Sequence, residues 1–331
     1  MKKTILLLVI LILFTGCNNT TNKKVVNVLN WSSYIPDEVI DNFEKEYNIK
    51  VNYGTYSSNE ELLAKITSSK KGTYDVIFPS DYMVELMKER GLIQKLEKDR
   101  LPNVINLNKM FLNQPYDYNN EYSYPFLSTI VVIAVNKDKI KDDIRGYNDL
   151  LNTNYKNNIV MIDDQRIVIG MSLLANNLGM NETSTNSLTK AKEWLLELKN
   201  NIKAYDSDSP KTFFITEEAD IGIMWNAEAE IAKNENHNIE IIDPLEGHAI
   251  STDNYCIVDG AKNINNAYLF INYLLRNEVS KEIVKEYPYI SPNNIIQESI
   301  IEPASIFKNG YYVKNIGEHI SLYDKLWADI K

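Results

Sequence analysis

Short apolar runs alternate with amphipathic helical stretches along both halves of this chain, and that alternation leaves few architectures open. Val25 to Asn30 is β-rich, Pro36 opens a helical stretch to about Tyr47 with Val39, Ile40 and Phe43 on its apolar side, and Ile49 to Tyr56 is extended again. A strand, a helix and a strand in that order make a βαβ unit. Asn59 to Ser69 then sets Leu62, Leu63 and Ile66 on one helical face. Tyr74 to Phe78 is a short strand closed by Pro79, and Ser80 or Asp81 is placed to cap a helix through Lys88. The second half repeats the pattern, with a strand over Ile159 to Ile162, a helix after Asp163-Asp164 and an amphipathic helix over Ala191 to Leu198. A strand from Ile221 to Trp225 follows, leading into an Ala-rich helix, and Ile239 to Ile242 is extended. The chain has 331 residues, about twice the usual domain length, so the pattern predicts two α/β lobes.

Hydrophobic residues make up 44% of the sequence and charged residues 24%, enough apolar material for a sizeable core. Lys and Arg number 35 against 45 Asp and Glu, and the resulting charge of −10 repels a phosphate backbone, which argues against nucleic acid as a partner. The N-terminus carries a different signal. Lys2 and Lys3 precede an apolar run from Ile5 to Phe14, too short to span a bilayer and typical of a signal-peptide core. Thr15-Gly16-Cys17 follows it and resembles the lipobox of bacterial lipoproteins, with Phe14 where leucine is usual. We expect residues 1–16 to be a lipoprotein signal peptide, Cys17 to be lipidated and anchored to the membrane, and residues 17–24 to form a polar tether. An ordinary secretory signal is the alternative. Cys256 then has no intrachain partner and reads as a buried strand residue.

Open α/β sheets bind ligands at the carboxyl ends of their strands. Those ends read Asn30-Trp31, Phe78-Pro79-Ser80, Asp163-Asp164 and Trp225-Asn226, so aromatics, hydroxyls and carboxylates collect along one edge. The signatures of catalysis do not accompany them. His237, His248 and His319 are far apart and outside any metal-ligand spacing, and there is no Gly-x-Ser-x-Gly, Walker or dinucleotide motif. Asp163 and Asp164 are the remaining candidates for acid–base work, but neighbours at a strand end point in opposite directions, so one of them faces the cleft. The expectation is a binding protein without catalytic residues, metal or cofactor.

Three ordered segments narrow this further: Asn30-Trp31-Ser32-Ser33-Tyr34-Ile35-Pro36, Thr73-Tyr74-Asp75-Val76-Ile77-Phe78-Pro79-Ser80-Asp81-Tyr82 and Ile223-Met224-Trp225-Asn226. Together with Tyr53 to Glu60, Gly91 to Lys95 and Tyr122 to Pro125, they resemble the spermidine/putrescine-binding proteins of bacterial polyamine ABC importers, from about Val28 to the C-terminus. The resemblance implies the two-lobed periplasmic-binding-protein (Venus-flytrap) fold with each lobe discontinuous in sequence. Residues 25–130 and 252–298 would form the first lobe and 131–251 with 299–331 the second, with crossings near 128–132, 248–252 and 296–302. It also implies an extracytoplasmic protein that passes its cargo to a permease and ATPase pair.

Carried over residue by residue, the family's binding positions fall on Trp31, Tyr34, Ser80, Tyr82, Asp164, Trp225, Asp253 and Tyr289, with rings lining a slot and carboxylates taking amines. Three positions depart from the family pattern: Ile167 replaces a glutamate, Ser251 a tryptophan and Val313 a glutamine. Glu228 stands where putrescine-specific relatives carry an aspartate. Blander roles exist for each: Trp31 and Trp225 as core plugs, Asp253 as a turn residue, Asp164 as a helix cap and Glu228 as a first-turn acid. A polyamine is an apolar methylene chain bearing ammonium groups, so aromatic walls supply area and a negative π face while carboxylate number and spacing set selectivity. With Ile167 in place of an acid, a third ammonium would be desolvated without a partner, which favours putrescine over spermidine. The same fold holding another small cation or ferric iron is the alternative.

Overall fold

The computed structural model describes residues 24–32, 34–207, 209–294 and 303–331, with side chains in the last stretch from residue 306. Cys17, the signal segment and the expected crossing at 296–302 lie outside the described residues. Among the described residues, no helix is long and apolar enough to cross a membrane.

The chain folds into two α/β lobes. In the first, β1 (Lys24–Trp31) runs parallel to β2 (Ile49–Tyr56) on one side and to β3 (Val76–Ile77) on the other. Helix Asp37–Tyr47 forms the crossover between β1 and β2, burying Val39 and Phe43 while its polar side faces water. Helix Asn59–Ser68 connects β2 to β3; Ser58 caps it by accepting the Glu61 amide, and Leu62 and Ile66 are buried. In the second lobe β5 (Ile159–Met161) is parallel to both β6 (Ile202–Tyr205) and β7 (Ile221–Trp225). Helix Thr185–Leu198 starts well before the apolar run at Ala191 because the Ser184 hydroxyl accepts the Ser187 amide and fixes the first turn.

One strand joins the lobes. β4 (Ser123–Asn136) is 14 residues long and buried throughout. Up to Ile130 it pairs antiparallel with β9 (His248–Ile257), which also pairs with β3; from Val131 onward it pairs with β7 and, from Ile133, with β8 (Ile239–Ile242). The short β10 (Gly310–Tyr312) lies parallel to the start of β9. The path β2-β1-β3-β9-β4-β7-β5-β6 therefore runs through both lobes, with β4 and β9 as the passage between them. Because each lobe's parallel strands point the same way, their carboxyl ends line up on one edge, at Trp31, Tyr56 and Phe78 in the first lobe and at Ile162, Tyr205 and Trp225 in the second. Tyr82 of the first lobe packs against the core of the second as well as its own, so the two edges meet.

Candidate ligand-binding cleft

Asp253 is the centre of the first lobe's edge. It lies on β9, 3% exposed, where β9 bridges to Ser80 at the end of β3. Ser80 Oγ donates to Asp253 Oδ1 at 2.7 Å and Tyr34 OH donates to Oδ2 at 2.8 Å. Burial pushes the carboxyl up to about 6, against the opposing pull of hydrogen bonds from Ser80, Tyr34 and Trp31. Ser80 occupies the cap position of helix Asp81–Glu89 without capping it; its hydroxyl is spent on Asp253 instead. Asp81 takes over the local work, accepting the Tyr82 amide at 2.7 Å and the Thr252 amide at 3.1 Å.

Aromatic rings surround this carboxylate. Tyr34 packs on Tyr289 with ring centroids 4.7 Å apart, and Trp31 lies 6.3 Å from Tyr34 and 4.6 Å from Tyr56. Both Trp31 Nε1 and Tyr56 OH donate to the Phe78 carbonyl, which locks the ring at the end of β1 to the strand that carries Ser80. The Tyr34 phenol is raised well above its ordinary range, first by burial and then by the Asp253 charge, so it stays a donor to Asp253.

The second lobe presents Asp164, Trp225 and Glu228. Asp164 caps helix Gln165–Ala175: its Oδ1 accepts the Arg166 amide at 2.8 Å and the Ile167 amide at 3.0 Å. Burial raises its pKa, with the Glu60 charge adding to the rise and Arg166 opposing it. Asp163 turns the other way and pairs with Lys331. Trp225 ends β7 half-buried, packed on the second lobe's core and paired in register with Val131 of the passage strand. The next residue, Asn226, accepts from Thr129 Oγ1 at 2.7 Å and from the Ile130 amide at 3.0 Å, fastening that turn to β4. Glu228 is buried, and both its oxygens accept from Lys211 Nζ, at 2.9 and 2.8 Å. Its carboxyl is raised by burial, with Lys211 pulling it back.

Two positions that depart from the family pattern sit in the core of the second lobe. Ile167 and Val313 are both buried there, at 2% and 6% exposure. Ser251 lies on β9 opposite Thr129.

Three further residues bond to the candidates and are not among those expected from the sequence. Asn59 exchanges two hydrogen bonds with Ser80, donating to its Oγ at 3.1 Å and accepting its amide at 3.2 Å. Glu60 accepts from Tyr82 OH at 3.1 Å, and its charge reaches both Tyr82 and Asp164. Lys211 is the third. Asn59 and Glu60 follow the end of β2, and Lys211 follows the end of β6, so the strand-end rule that found Trp31 and Trp225 would have found them too. Among the described residues no group of three or more His, Cys, Asp or Glu is arranged to hold a metal ion.

Two α/β lobes sharing antiparallel passage strands, with a ring-lined buried carboxylate between them, define a solute-binding protein. The chain belongs to the bacterial extracellular solute-binding protein family, whose family model matches residues 38–305. It is 34% identical over 313 residues to the spermidine/putrescine-binding periplasmic protein of Salmonella typhimurium, a match spanning 91% of this chain and 90% of that one. Its fold is similar to the spermidine/putrescine ABC transporter substrate-binding protein PotD of Streptococcus pneumoniae, with TM-score 0.81, 28% identity and 93% and 98% of the two chains covered. It is also similar to the TpPotD lipoprotein of Treponema pallidum, with TM-score 0.85, 26% identity and coverage of 93% and 99%. These relatives are solute-binding proteins and not enzymes.

Proposed function

We propose that this protein captures a linear polyamine, putrescine or spermidine, between its lobes and delivers it to the permease and ATPase of an ABC importer. The observation that carries this reading is Asp253, a carboxylate buried among Trp31, Tyr34 and Tyr289 whose hydrogen-bonding partners carry no charge. Such a group is costly to ionise until a cation arrives. An alkylammonium suits it: the head pairs with Asp253 while the methylenes lie on the rings, each well-placed cation–π contact adding about 0.5–2 kcal/mol. Asp164 spends one oxygen on capping, which leaves the other for a second ammonium. Trp225 and Tyr82 would line the path between the two acids.

Ligand contacts drawn from both lobes make closure favourable, because the closed form gains interactions that the open form lacks. We assign residues 25–130 and 252–298 to the first lobe and 131–251 with 299–331 to the second. No cofactor takes part. We further infer that Cys17 carries the lipid that holds the protein to the outer face of the cell membrane, with the residues from Cys17 up to the start of β1 as tether; the name of the Treponema pallidum relative supports this.

Calorimetric titration with putrescine, spermidine and ferric ion tests the reading. Saturable 1:1 binding of either polyamine, lost in Asp253→Ala, is the expected result. Tight ferric binding with no polyamine heat would overturn it. Between the two polyamines we propose a preference for putrescine, since Ile167, buried in the second lobe's core, offers no charge; a tenfold preference for spermidine, about 1.4 kcal/mol, would refute it.

A further inference from the structure

A slot for an α,ω-diamine must match each ammonium with an acid, and an acid already matched is closed to the ligand. One acid on the second lobe's edge is matched from within. Glu228 lies one turn beyond Trp225, and its two oxygens are both held by Lys211 Nζ at 2.8–2.9 Å, with the side chains only 11% and 25% exposed. Lys211 opens the short helix Lys211–Ile215 that follows β6, and β6 ends on the same edge as Trp225 because β6 and β7 both run parallel to β5. The Glu228 charge also helps to raise the phenol of Tyr289, after burial, and Tyr289 is the ring packed on Tyr34 beside Asp253. The ion pair therefore stands on the strand edge that Trp225 ends, one turn from that ring, and is not a solvated surface pair.

Chemically, the end of Lys211 is a primary alkylammonium on a methylene stem, the same group that terminates a polyamine. Resting on the polyamine reading above, we propose that Lys211 is a specificity-determining residue. Its tethered ammonium occupies the Glu228 subsite and leaves the cleft with room for two ligand charges, excluding a third. A triamine reaching that end would meet a like charge in place of an acid, whereas a diamine held by Asp253 and Asp164 never extends there. Selectivity then arises as much from a repulsive element as from attraction.

The test uses the full chain in calorimetric titrations with putrescine and spermidine, comparing wild type with Lys211→Met, Lys211→Gln, Lys211→Arg and the double variant Lys211→Met/Glu228→Gln. Removing the lysine should shift the affinity ratio at least tenfold towards spermidine, because Glu228 becomes available to the third ammonium. Lys211→Arg should keep the wild-type ratio, and the double variant, which has lost both the repelling charge and the acid, should lie between wild type and the single variant. Lys211→Met leaves a buried carboxylate without its cation, so Lys211→Gln, which keeps a neutral donor, carries the test if the Met variant fails to fold. An unchanged ratio in the folded single variant, or a shift in the double variant as large as in the single one, overturns the proposal. A wild-type protein that binds neither polyamine overturns the polyamine reading itself, which is a separate outcome.

Discussion

Replacing Asp253 with asparagine should make the empty protein more stable and the binding protein useless. In the folded chain burial lifts this carboxyl from an ordinary 3.8 to about 6. A shift of about two units corresponds to about 3 kcal/mol, at about 1.4 kcal/mol per unit. The sign follows from proton uptake. Between pH 4 and 6 the folded state binds the Asp253 proton more tightly than the unfolded state, so stability falls as pH rises through that window, and the full penalty is present at pH 7.5. Asparagine carries no charge to desolvate, and the hydroxyls of Ser80 and Tyr34 can rotate to accept from its amide. Allowing about 1 kcal/mol for poorer hydrogen-bond geometry, Asp253→Asn should gain about 2 kcal/mol over wild type at pH 7.5 without ligand, and the gain should shrink as pH falls below 6. Polyamine affinity should fall by about two to three and a half orders of magnitude, since loss of one partner of a buried pair costs about 3–5 kcal/mol. Urea denaturation at pH 7.5 and 4.5, together with calorimetry, reads both quantities. A variant less stable than wild type at pH 7.5, or one that retains affinity, would refute the reasoning. In wild type the same shift makes polyamine affinity weaken below about pH 6, where the proton competes with the ligand.

The other consequences can be checked separately. If both lobes grip the ligand, small-angle scattering should show a smaller radius of gyration with saturating polyamine, and an unchanged value would exclude closure. Cys17→Ala should abolish palmitate incorporation and partitioning into the detergent phase, and equal partitioning of both forms would rule out the anchor. Cys256 is fully buried and burial pushes its thiol well above the ordinary range, so a thiol reagent should leave the native protein unlabelled and react once it is unfolded; rapid native labelling would contradict that burial.

The sequence by itself determined the layer architecture and one edge of the site. Short extended or apolar runs against a helical periodicity of 3.6 separate β1, β2 and β7 from the helices that follow them, and the rule that ligands collect at strand carboxyl ends picks out Trp31, Ser80, Asp164 and Trp225 without any tertiary contact. It also expects Asp163 and Asp164 to face opposite ways, because alternation is a property of the local backbone, and in the structure Asp163 pairs with Lys331 while Asp164 caps a helix. Which charges are spent, and on what, was decided only by the tertiary structure. Ser80 reads as a helix cap in sequence, yet its hydroxyl bonds a carboxylate 173 positions away. Asp164 has the same local pattern and does cap. Glu228 reads as a free acid until Lys211, 17 residues earlier and on another element, is folded onto it. The apolar stretch Ser123–Asn136 gives no sign that its first half serves one lobe and its second half the other, since every residue is buried on both sides of the switch at Ile130 and Val131. Periodicity reports how a residue faces its own element, whereas partners are set by long-range pairing, and in a cleft built from two discontinuous lobes nearly every partner is long-range.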